Sequence, residues 1–441
     1  MTDSVNTACV IGLGKLGAPL AACLAVRGLR VIGVDSDRRK VDAINNRRSP
    51  VAEPGLAELL AKIEGRLTAT CDLAAAVAQS DVTFIVVATP SEDGGGFSLR
   101  YVEPVCRSIG ASLASKDAYH VVSLTSTVMP GCTDVKVRAL LEETSGKRCG
   151  QDFGLCYNPE FIALGSVIRD FLNPDMVLIG ESDPRAGDTM ETLYHQVCEN
   201  RPAIARMSFV NAEITKLAIN TYVTTKISFA NMLARISERL PGADVDVVTA
   251  ALGLDSRIGP KYLKGGVSYG GPCFPRDNLA MAALARQVGT PPDLAQTVDR
   301  FNRWQVSWLA DFAQQHSKGT IGVLGLTYKP GTDVVEQAFG LLLVQELVRR
   351  GVHVIAYDPL GEENSARVLD GKAKLAPVAD ECITASDLVV VATPWKQFGS
   401  ISKEVWARTG AARTVIDCWR MLKHLEHQPG VHYLPLGACE R

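Results

Sequence analysis

One strand-and-helix pattern occurs twice in this chain, once near each end, and this repetition restricts the possible folds more than any other feature. Near the N-terminus an apolar strand at 8–11 is followed by a glycine turn, a helical run and a second strand that ends at Asp35. From Thr320 onward a strand at 320–326 is followed by a second strand that ends at Asp358 and a third that ends in Thr393-Pro394. Alternating strands and helices are typical of parallel sheets covered by helices on both faces. The sequence therefore predicts an α/β fold with two Rossmann-like, doubly wound parallel-sheet domains.

The turn after the first strand, GLGKLG at 12–17, predicts a dinucleotide site. Its glycines permit a tight turn and close approach of a pyrophosphate, which the N-terminus of the following helix attracts. Asp35 can accept hydrogen bonds from a ribose diol, so we expect NAD⁺ to be preferred over NADP⁺. The cofactor-site residues expected from the turn and the strand ends are Gly12, Gly14, Leu16, Gly17, Asp35, Thr89, Pro90 and Thr127. The alternative is a purely structural turn. The second copy lacks GxGxxG and is expected to bind something else.

A long helical segment at 208–240 joins the two copies. Apolar and small residues recur there at helical spacing, and no glycine or proline interrupts before Pro241. Glu213, Lys216 and Asn220 share one face of this helix. Such a polar face is either solvated or one wall of a site, and the solvated face is the simpler interpretation of the helix alone. We place the domains at 1–205, 206–300 and 301–441, and we expect the apolar central helix to pack in a two-fold homodimer.

The octapeptide GGPCFPRD at 270–277 displays one cysteine between a glycine turn and a proline. Glycine and proline suppress regular secondary structure, and the small neighbours leave the Cys273 thiol open to a substrate. A cysteine displayed in this way suggests a nucleophile. The alternative is a packed turn around an inert thiol, because an unpaired cysteine often serves as a small core residue.

Composition excludes several functional classes. The formal net charge is −2 and no long basic run is present, so neither nucleic acid nor an anionic membrane is an expected partner. No apolar run is long enough to span a bilayer, and residues 8–13 are interpreted as a strand instead of a signal peptide. The 12 cysteines are scattered without a CxxC pair. This pattern predicts reduced thiols, a cytoplasmic location and no metal site.

Taken together, the motifs resemble the nucleotide-sugar 6-dehydrogenase (UDP-glucose/GDP-mannose dehydrogenase) family over nearly the whole chain. The matching stretches are GLGKLG at 12–17, PVAEPGL at 50–56, STVMPG at 126–131, NPEFIALGSVIRDFLNPD at 158–175, AEITKLAINTYVTTKISFAN at 212–231, GLDSRIG at 253–259, GGPCFPRD at 270–277 and GLTYKPGTD at 325–333. The resemblance implies oxidation of a sugar C6 alcohol to a carboxylate by two NAD⁺, through a thiohemiacetal and a thioester, in polysaccharide biosynthesis.

The resemblance also implies residue roles. Cys273 is the expected nucleophile, Lys216 and Asn220 hold the oxygen on C6, and Asp277 helps to position water and the lysine. Thr127 and Glu160 are the water-handling pair, with Glu160 the base for thioester hydrolysis. The residues implied to contact the sugar nucleotide are Glu160, Phe161, Ile162, Lys216, Asn220, Arg257, Tyr262, Leu263, Gly270 and Lys329. Of these, the family arginine matched by Arg257 often reaches across the dimer, and Lys329 is expected near the active site, the cofactor and the domain interface.

Four positions depart from the usual family pattern. Leu164 replaces a glutamate common among enzymes acting on UDP-glucose, and Arg276 replaces the lysine before the loop aspartate, which keeps the charge but not the geometry. Glu336 replaces an arginine that commonly faces the cofactor pyrophosphate. Trp419 lies in Asp-Cys-Trp-Arg, where Asp-Gly-Arg-Asn or Asp-Gly-Arg-Arg is usual. The chain could therefore act on a sugar or a base other than those of the common enzymes.

UDP-glucose is the first expected substrate, and UDP-N-acetylhexosamines, dTDP-glucose and GDP-mannose are the alternatives. The PEF sequence at 159–161 favours substrates other than the N-acetylmannosamine nucleotides, whose enzymes commonly have Pro-Glu-Arg there. Two other functional classes are a two-electron β-hydroxyacid dehydrogenase and a silent nucleotide-sugar-binding protein. The number of NADH formed per substrate, two, one or none, distinguishes the three classes.

Overall fold

Two sheets organise the chain, one in each of the two units, Met1–Ala218 and Ile219–Arg441. The computed structural model describes residues 5–63, 65–317 and 319–439. Within the first unit the strands are β1 (Thr7–Ile11), β2 (Arg30–Val34), β3 (Leu67–Thr70), β4 (Val82–Ile85), β5 (Val121–Leu124), β6 (Gly154–Tyr157), β7 (Met176–Glu181) and β8 (Ala203–Met207). Their order is β3-β2-β1-β4-β5-β6-β7-β8. Neighbours are parallel except β6 and β7, which are antiparallel.

Helices cover both faces of this first sheet. They are α1 (Gly17–Val26), α2 (Arg38–Asn45), α3 (Leu56–Lys62), α4 (Leu73–Ala78), α5 (Val102–Ala114), α6 (Ala139–Ser145), α7 (Val167–Leu172) and α8 (Pro184–Val197), with a π-helical turn at Thr133–Arg138. Along β1, Ala8 and Val10 join one buried cluster while Cys9 and Ile11 join another. Because side chains alternate between the faces of a strand, apolar residues in succession require a cover on each side.

The second unit repeats the arrangement with β9 (Ile321–Leu324), β10 (Val354–Tyr357), β11 (Lys374–Leu375), β12 (Leu388–Val391), β13 (Arg413–Asp417) and β14 (Val431–Pro435). The order is β11-β10-β9-β12-β13-β14, and every pair is parallel. Its helices after the central segment are α10 (Val245–Leu254), α11 (Phe274–Gln287), α12 (Asp293–His316), α13 (Phe339–Arg349), α14 (Glu362–Leu369), α15 (Ala379–Thr384) and α16 (Lys403–Trp406), with 3₁₀ turns at Lys396–Ser400 and Lys423–Leu425. This architecture confirms the predicted fold class.

The segment predicted as a helix at 208–240 is α9 (Phe209–Ser237), which passes from the first unit into the second. None of the helices in the described residues combines the length and the apolar character needed to cross a bilayer.

Each unit has a close contact between a glycine after its first strand and a glycine at the start of the next helix. The segment that joins the two glycines differs in length between the units. A Cβ on Gly17 would lie 1.8 Å from the carbonyl oxygen of Gly12, and a Cβ on Gly340 would lie 1.9 Å from that of Gly325. Glycine at both positions therefore lets a helix start against the end of a strand. Residues 13–16 separate the first pair, whereas residues 326–339 separate the second. The second half thus carries a long loop, residues 326–338, where the first half has its short turn.

Candidate active site

The glycine turn of the first unit has the geometry of a phosphate-binding turn. Gly12 has φ +98°, and a Cβ there would lie 2.5 Å from the Val86 carbonyl oxygen, so only glycine fits. A Cβ on Gly14 would meet no atom within 4 Å, which leaves the backbone open to an approaching group. Leu16 is the N-cap of α1 and its side chain caps no N–H. These residues fit the pyrophosphate of a dinucleotide, whose charge the helix N-terminus stabilises.

Asp35 lies directly after β2 beside this turn. Its carboxylate accepts hydrogen bonds from Leu13 N (2.8 Å), Asp37 N (2.8 Å) and Lys40 Nζ (3.1 Å). A carboxylate offers about four acceptor positions, so capacity remains for a ribose hydroxyl. The turn holds the acid in place through Leu13 and leaves it half-buried.

The equivalent acid of the second unit, Asp358, is closed to a ligand. It is buried, and its oxygens accept six hydrogen bonds. The donors are Leu326 N, Thr327 N, Thr327 Oγ1, Leu360 N, Gly361 N and Trp395 Nε1. The acid at this position can therefore bind a ribose in the first unit, whereas in the second unit it holds the long loop in place.

Two strand-end residues of the predicted cofactor set meet each other. Thr89, in the loop after β4, is buried and donates from Oγ1 to the Thr127 carbonyl oxygen at 2.7 Å. Thr127 follows β5 and, like Pro90, is half-buried. This bond joins two loops at the carboxyl edge of the parallel strands, where ligands bind in such sheets.

Glu160 follows β6 and lies in a polar cluster. Burial there gives its carboxyl group an unusual pKa. Burial raises the pKa of its carboxyl to about 7, although the Tyr194 hydroxyl and the Lys216 charge act in the opposite direction. Tyr194 Oη lies 3.2 Å from Glu160 Oε1 and donates to Asn158 Oδ1 at 2.5 Å. The carboxyl can therefore exist in either protonation state near neutral pH, as a general base requires.

Lys216 and the residues after Glu160 belong to the same cluster. Lys216 Nζ donates to the Glu160 carbonyl oxygen at 2.6 Å and lies 4.6 Å from the centre of the Phe161 ring. Phe161, Ile162 and Leu164 are half-buried in the loop that follows β6. The structure thus brings together Glu160, Phe161 and Lys216, three of the residues predicted from the sequence.

The polar face of α9 is buried, so its interpretation as a solvated face is wrong. Glu213, Lys216 and Asn220 are 0%, 6% and 7% exposed. Glu213 accepts hydrogen bonds from Gly131 N, Thr133 N and Thr133 Oγ1 at 2.5–2.8 Å. It fastens the loop that carries Thr127 to the helix that carries Lys216, whereas the helix pattern alone could not show which loops would cover this face.

In the second unit the thiol, the asparagine and the aspartate lie around the start of α11. Cys273 is exposed and is the N-cap residue of this helix. Asp277 lies one turn later, is 1% exposed and accepts a hydrogen bond from Asn220 Nδ2 at 2.6 Å. Its other oxygen lies 3.6 Å from Arg276 Nε and makes no hydrogen bond in the described residues. The partial positive charge of a helix N-terminus favours an anionic sulfur at Cys273.

Aromatic rings surround the residue after the thiol. Phe274 makes edge contacts with Tyr262 and Tyr269, with ring centres 6.4 and 6.3 Å apart. Tyr262 has φ +64° and is half exposed, and Leu263 beside it is buried. Arg257 extends into solvent and pairs with Asp255, with 2.6 Å between Nη2 and Oδ2. Within the described residues of the second unit, Tyr262 therefore lies near the thiol loop, while Arg257 contacts only its own loop.

The long loop of the second half meets the thiol loop through backbone atoms. Gly271 N donates to the Glu336 carbonyl oxygen at 3.0 Å, and a Cβ on Gly270 would lie 2.1 Å from the Gln337 carbonyl oxygen. A Cβ on Gly271 would lie 2.7 Å from the Tyr328 ring, and the half-buried Lys329 extends from the same loop, with Nζ 5.9 Å from the centre of that ring. The Glu336 side chain is exposed, so this contact does not depend on its identity.

Sequence reasoning missed the side chains that hold these loops in place. Asn158 and Tyr194 contact the surroundings of Glu160, and Asn231 and Asn302 bind backbone before the thiol loop. For Asn231 and Asn302, the only signal in the sequence was a polar amide on a long helix. Trp419 donates from Nε1 to the Ala392 carbonyl oxygen at 2.9 Å, and its ring lies against Gly266. These contacts place the Trp419 departure beside the segment that precedes the thiol.

Comparisons with known proteins agree with this geometry. Domain models of the UDP-glucose/GDP-mannose dehydrogenase family match residues 6–198 (NAD binding domain), 210–304 (central domain) and 322–424 (UDP binding domain). The chain is 36% identical over 423 residues to UDP-glucose 6-dehydrogenase AglM of Haloferax volcanii, covering 95% of this chain and 97% of that protein. It is 34% identical over 426 residues to GDP-mannose 6-dehydrogenase of Pseudomonas syringae pv. tomato, covering 92% and 94%. The structure of a UDP-glucose dehydrogenase from Pyrobaculum islandicum superposes with TM-score 0.89 at 31% identity over 98% of each chain.

The surroundings of Asp35 generate a prediction about cofactor choice. The wild-type protein should use NAD⁺ with much higher kcat/KM than NADP⁺, because Asp35 repels a 2′-phosphate. A pair of charges roughly 4 Å apart is worth about 4 kcal/mol at an effective dielectric constant of 20. Asp35→Asn should therefore raise the NADP⁺ to NAD⁺ ratio of kcat/KM by at least about tenfold. Initial rates with both cofactors measure this ratio.

Asp72 provides the control, since it too is an acid after a strand of the first unit, but its carboxylate caps α4. Asp72→Asn should leave the ratio unchanged. Comparable efficiency of the wild-type protein with both cofactors would refute the role assigned to Asp35.

Proposed function

The chain belongs to the UDP-glucose/GDP-mannose dehydrogenase family and is an NAD-dependent nucleotide-sugar 6-dehydrogenase, and we propose that it oxidises the C6 alcohol of UDP-glucose to the carboxylate of UDP-glucuronate. UDP-glucose is the first candidate because the 36% identical relative and the superposed structure are both UDP-glucose dehydrogenases. The same reaction on GDP-mannose is favoured almost equally by the 34% identical relative. A UDP-N-acetylhexosamine and dTDP-glucose are the remaining alternatives.

The proposed reaction begins with the C6 alcohol. The glycine turn at 12–17 and Asp35 would hold NAD⁺, which would supply the hydride acceptor for both oxidations. Lys216 and Asn220 hold the C6 oxygen, the hydroxyl proton passes to water, and a hydride leaves the C6 carbon to give an aldehyde. The Asn220–Asp277 hydrogen bond fixes the amide. The carbonyl oxygen of Glu160 holds the Lys216 ammonium in the same way. Side chains held in this way stabilise an oxyanion without reorganising.

The second oxidation needs a tetrahedral carbon, because an aldehyde does not easily give up hydride. The Cys273 thiolate adds to the aldehyde carbon and forms a thiohemiacetal oxyanion, and loss of a second hydride from this carbon leaves a thioester. Glu160 and Thr127 then position a water. Glu160 takes a proton from that water as it attacks the thioester, which releases the carboxylate and the thiolate. Two NAD⁺ are reduced for each sugar.

The observation that carries the proposal is an exposed cysteine at the N-cap of α11, one turn before a buried aspartate that an asparagine binds. The test is a panel of nucleotide sugars incubated with NAD⁺, with the products identified by mass spectrometry. UDP-glucose should give two NADH and a product 14 mass units heavier, since two hydrogens are lost and one oxygen is gained. One NADH per substrate would indicate a two-electron dehydrogenase, and none with any sugar would indicate a binding protein.

The covalent route predicts different behaviour for two variants. Cys273→Ser should lose the overall reaction almost completely, because a serine alkoxide is far rarer at neutral pH than a thiolate. Glu160→Gln should keep the first oxidation and accumulate an enzyme–sugar adduct that intact-protein mass spectrometry detects. Asn173→Asp, on the surface after α7, is the control and should form no adduct. An active Cys273→Ser enzyme would mean that the octapeptide is only a turn.

The Glu160 variant has a counterpart in the pH dependence. With a pKa of about 7, the wild-type carboxyl gains its charge as pH rises through neutrality. Only the ionised form accepts a proton, so the rate of thioester hydrolysis in a single turnover should rise with pH across this range. Glu160→Gln should show no such rise. If Glu160→Gln is inactive and forms no adduct with any of the tested sugars, Glu160 has a role in substrate binding or folding and not in hydrolysis.

The homodimer expected from the sequence is part of the proposal. Exposed apolar side chains recur along α9 at Val210, Ile214, Tyr222, Phe229, Met232 and Ile236. A stripe of this kind on one long helix favours an isologous contact with a second copy. Light scattering at micromolar concentration should give twice the chain mass of 47.3 kDa. Phe229→Arg should shift the protein toward monomer, whereas Val368→Arg on α14 should not. A fully active wild-type monomer would refute the dimer.

A further inference from the structure

The segment from Gly265 to Tyr269 is buried although it belongs to neither a helix nor a strand. Buried backbone N–H and C=O groups must find partners, because an unpaired buried group destabilises the folded state. In this segment regular structure does not supply them. The partners come from side chains on three other elements, so the path of the segment depends on a few residues.

Two asparagines bind the segment through both ends of their amides. Asn231 on α9 donates from Nδ2 to the Val267 carbonyl oxygen at 2.8 Å and accepts from Gly266 N at 2.7 Å. Asn302 on α12 donates to the Tyr269 carbonyl oxygen at 3.0 Å and accepts from Tyr269 N at 2.9 Å. We call these two pairs the amide clamps. Both asparagines are buried, so water does not compete for these bonds.

Other contacts fix the two ends of the clamped segment. Arg420 Nη2 donates to the Gly265 carbonyl oxygen at 2.6 Å and to Asp246 Oδ1 at 2.8 Å. The Tyr269 hydroxyl accepts from Asn278 Nδ2 at 2.6 Å, one turn along α11 from Phe274. Gly271 N then donates to the Glu336 carbonyl oxygen at 3.0 Å. Backbone groups are therefore hydrogen-bonded at intervals from Gly265 to Gly271, two residues before Cys273.

We propose that Asn231 and Asn302 are positioning residues that set the location of the Cys273 thiol by holding the backbone of residues 266–269. Cys273 is exposed at a helix start, so its position follows from the chain that leads into it. Tyr269 lies four residues before Cys273, and Asn302 makes hydrogen bonds to both its backbone N–H and its carbonyl oxygen. A thiol displaced by about 1 Å from its attack geometry can lose roughly a hundredfold in rate. This inference rests on the proposed role of Cys273 as nucleophile.

The test replaces single amides by nearly isosteric carboxyls. In Asn302→Asp and Asn231→Asp, an ionised oxygen faces a backbone carbonyl oxygen and the clamp opens. Asn45→Asp is the matched control, because Asn45 makes the same paired contact with Ala69 N and O (2.8 and 2.9 Å) on the edge strand β3. Asn302→Gln, which keeps both amide groups on a longer arm, is the second variant if the aspartates do not fold. Circular dichroism selects the folded preparations.

The readouts are kcat and KM with the best nucleotide sugar between pH 5.5 and 8.5, and iodoacetamide labelling of Cys273 relative to the exposed Cys71 in one digest. We expect kcat of the clamp variants to fall about 10- to 100-fold at high pH, with a smaller change in KM and an altered labelling ratio. Relative to wild type, the loss should shrink at low pH, since a protonated carboxyl can again donate to the carbonyl. A purely structural role would change stability without this pH-dependent recovery.

Two results separate the inference from the function on which it rests. If the clamp variants match Asn45→Asp within twofold in kcat and in labelling ratio, the positioning role is wrong. If they alter the labelling of Cys273 while Cys273→Ser remains active, the clamps hold the loop but the covalent function is wrong.

Discussion

The requirement that buried backbone groups be hydrogen-bonded shapes this protein outside its sheets as much as within them. Parallel strands satisfy the requirement for each other, but the loops at their carboxyl ends cannot. In these loops side chains take over: Asp35 binds the first glycine turn, Glu213 binds the loop after β5, and Asn231 and Asn302 bind the segment before Cys273. The residues that hold these loops are therefore part of the reason why the candidate active-site residues lie where they do.

One face of the central helix carries both a residue that holds a loop and residues with predicted catalytic roles, and the sequence pattern does not distinguish them. Glu213 fastens a loop and Lys216 binds the Glu160 carbonyl oxygen in the first unit, while Asn220 binds Asp277 in the second unit. All three side chains are buried, and each has a hydrogen-bond partner. A single helix face can therefore supply structural and chemical residues, and substitutions along it need to be interpreted one residue at a time.

The sequence was most informative where local pattern and function coincide. Apolar alternation and the repeated strand–helix order predicted both sheets, and the glycine spacing located the turn at 12–17. The helix pattern alone could not predict that the polar face of α9 would be covered, because the cover comes from residues 130–161 and from α11, distant along the chain. The raised pKa of Glu160 likewise depends on burial beside Tyr194, and no local pattern encodes that burial. The amide clamps were missed for the same reason, since an asparagine on a helix has no signature that names its partner.

The contact of Glu336 with Gly271 through its carbonyl oxygen has a consequence for sequence variation. A bond made by the main chain can be kept by almost any side chain at that position, so this site can change while the thiol loop stays in place. The glutamate that stands at 336 in place of the arginine of the family pattern therefore leaves this bond in place. The constraint falls instead on the neighbours: Gln337 has φ +49°, and Gly270 leaves no room for a Cβ. A library built to alter ligand preference could therefore randomise 336 freely, whereas 270 would have to remain glycine.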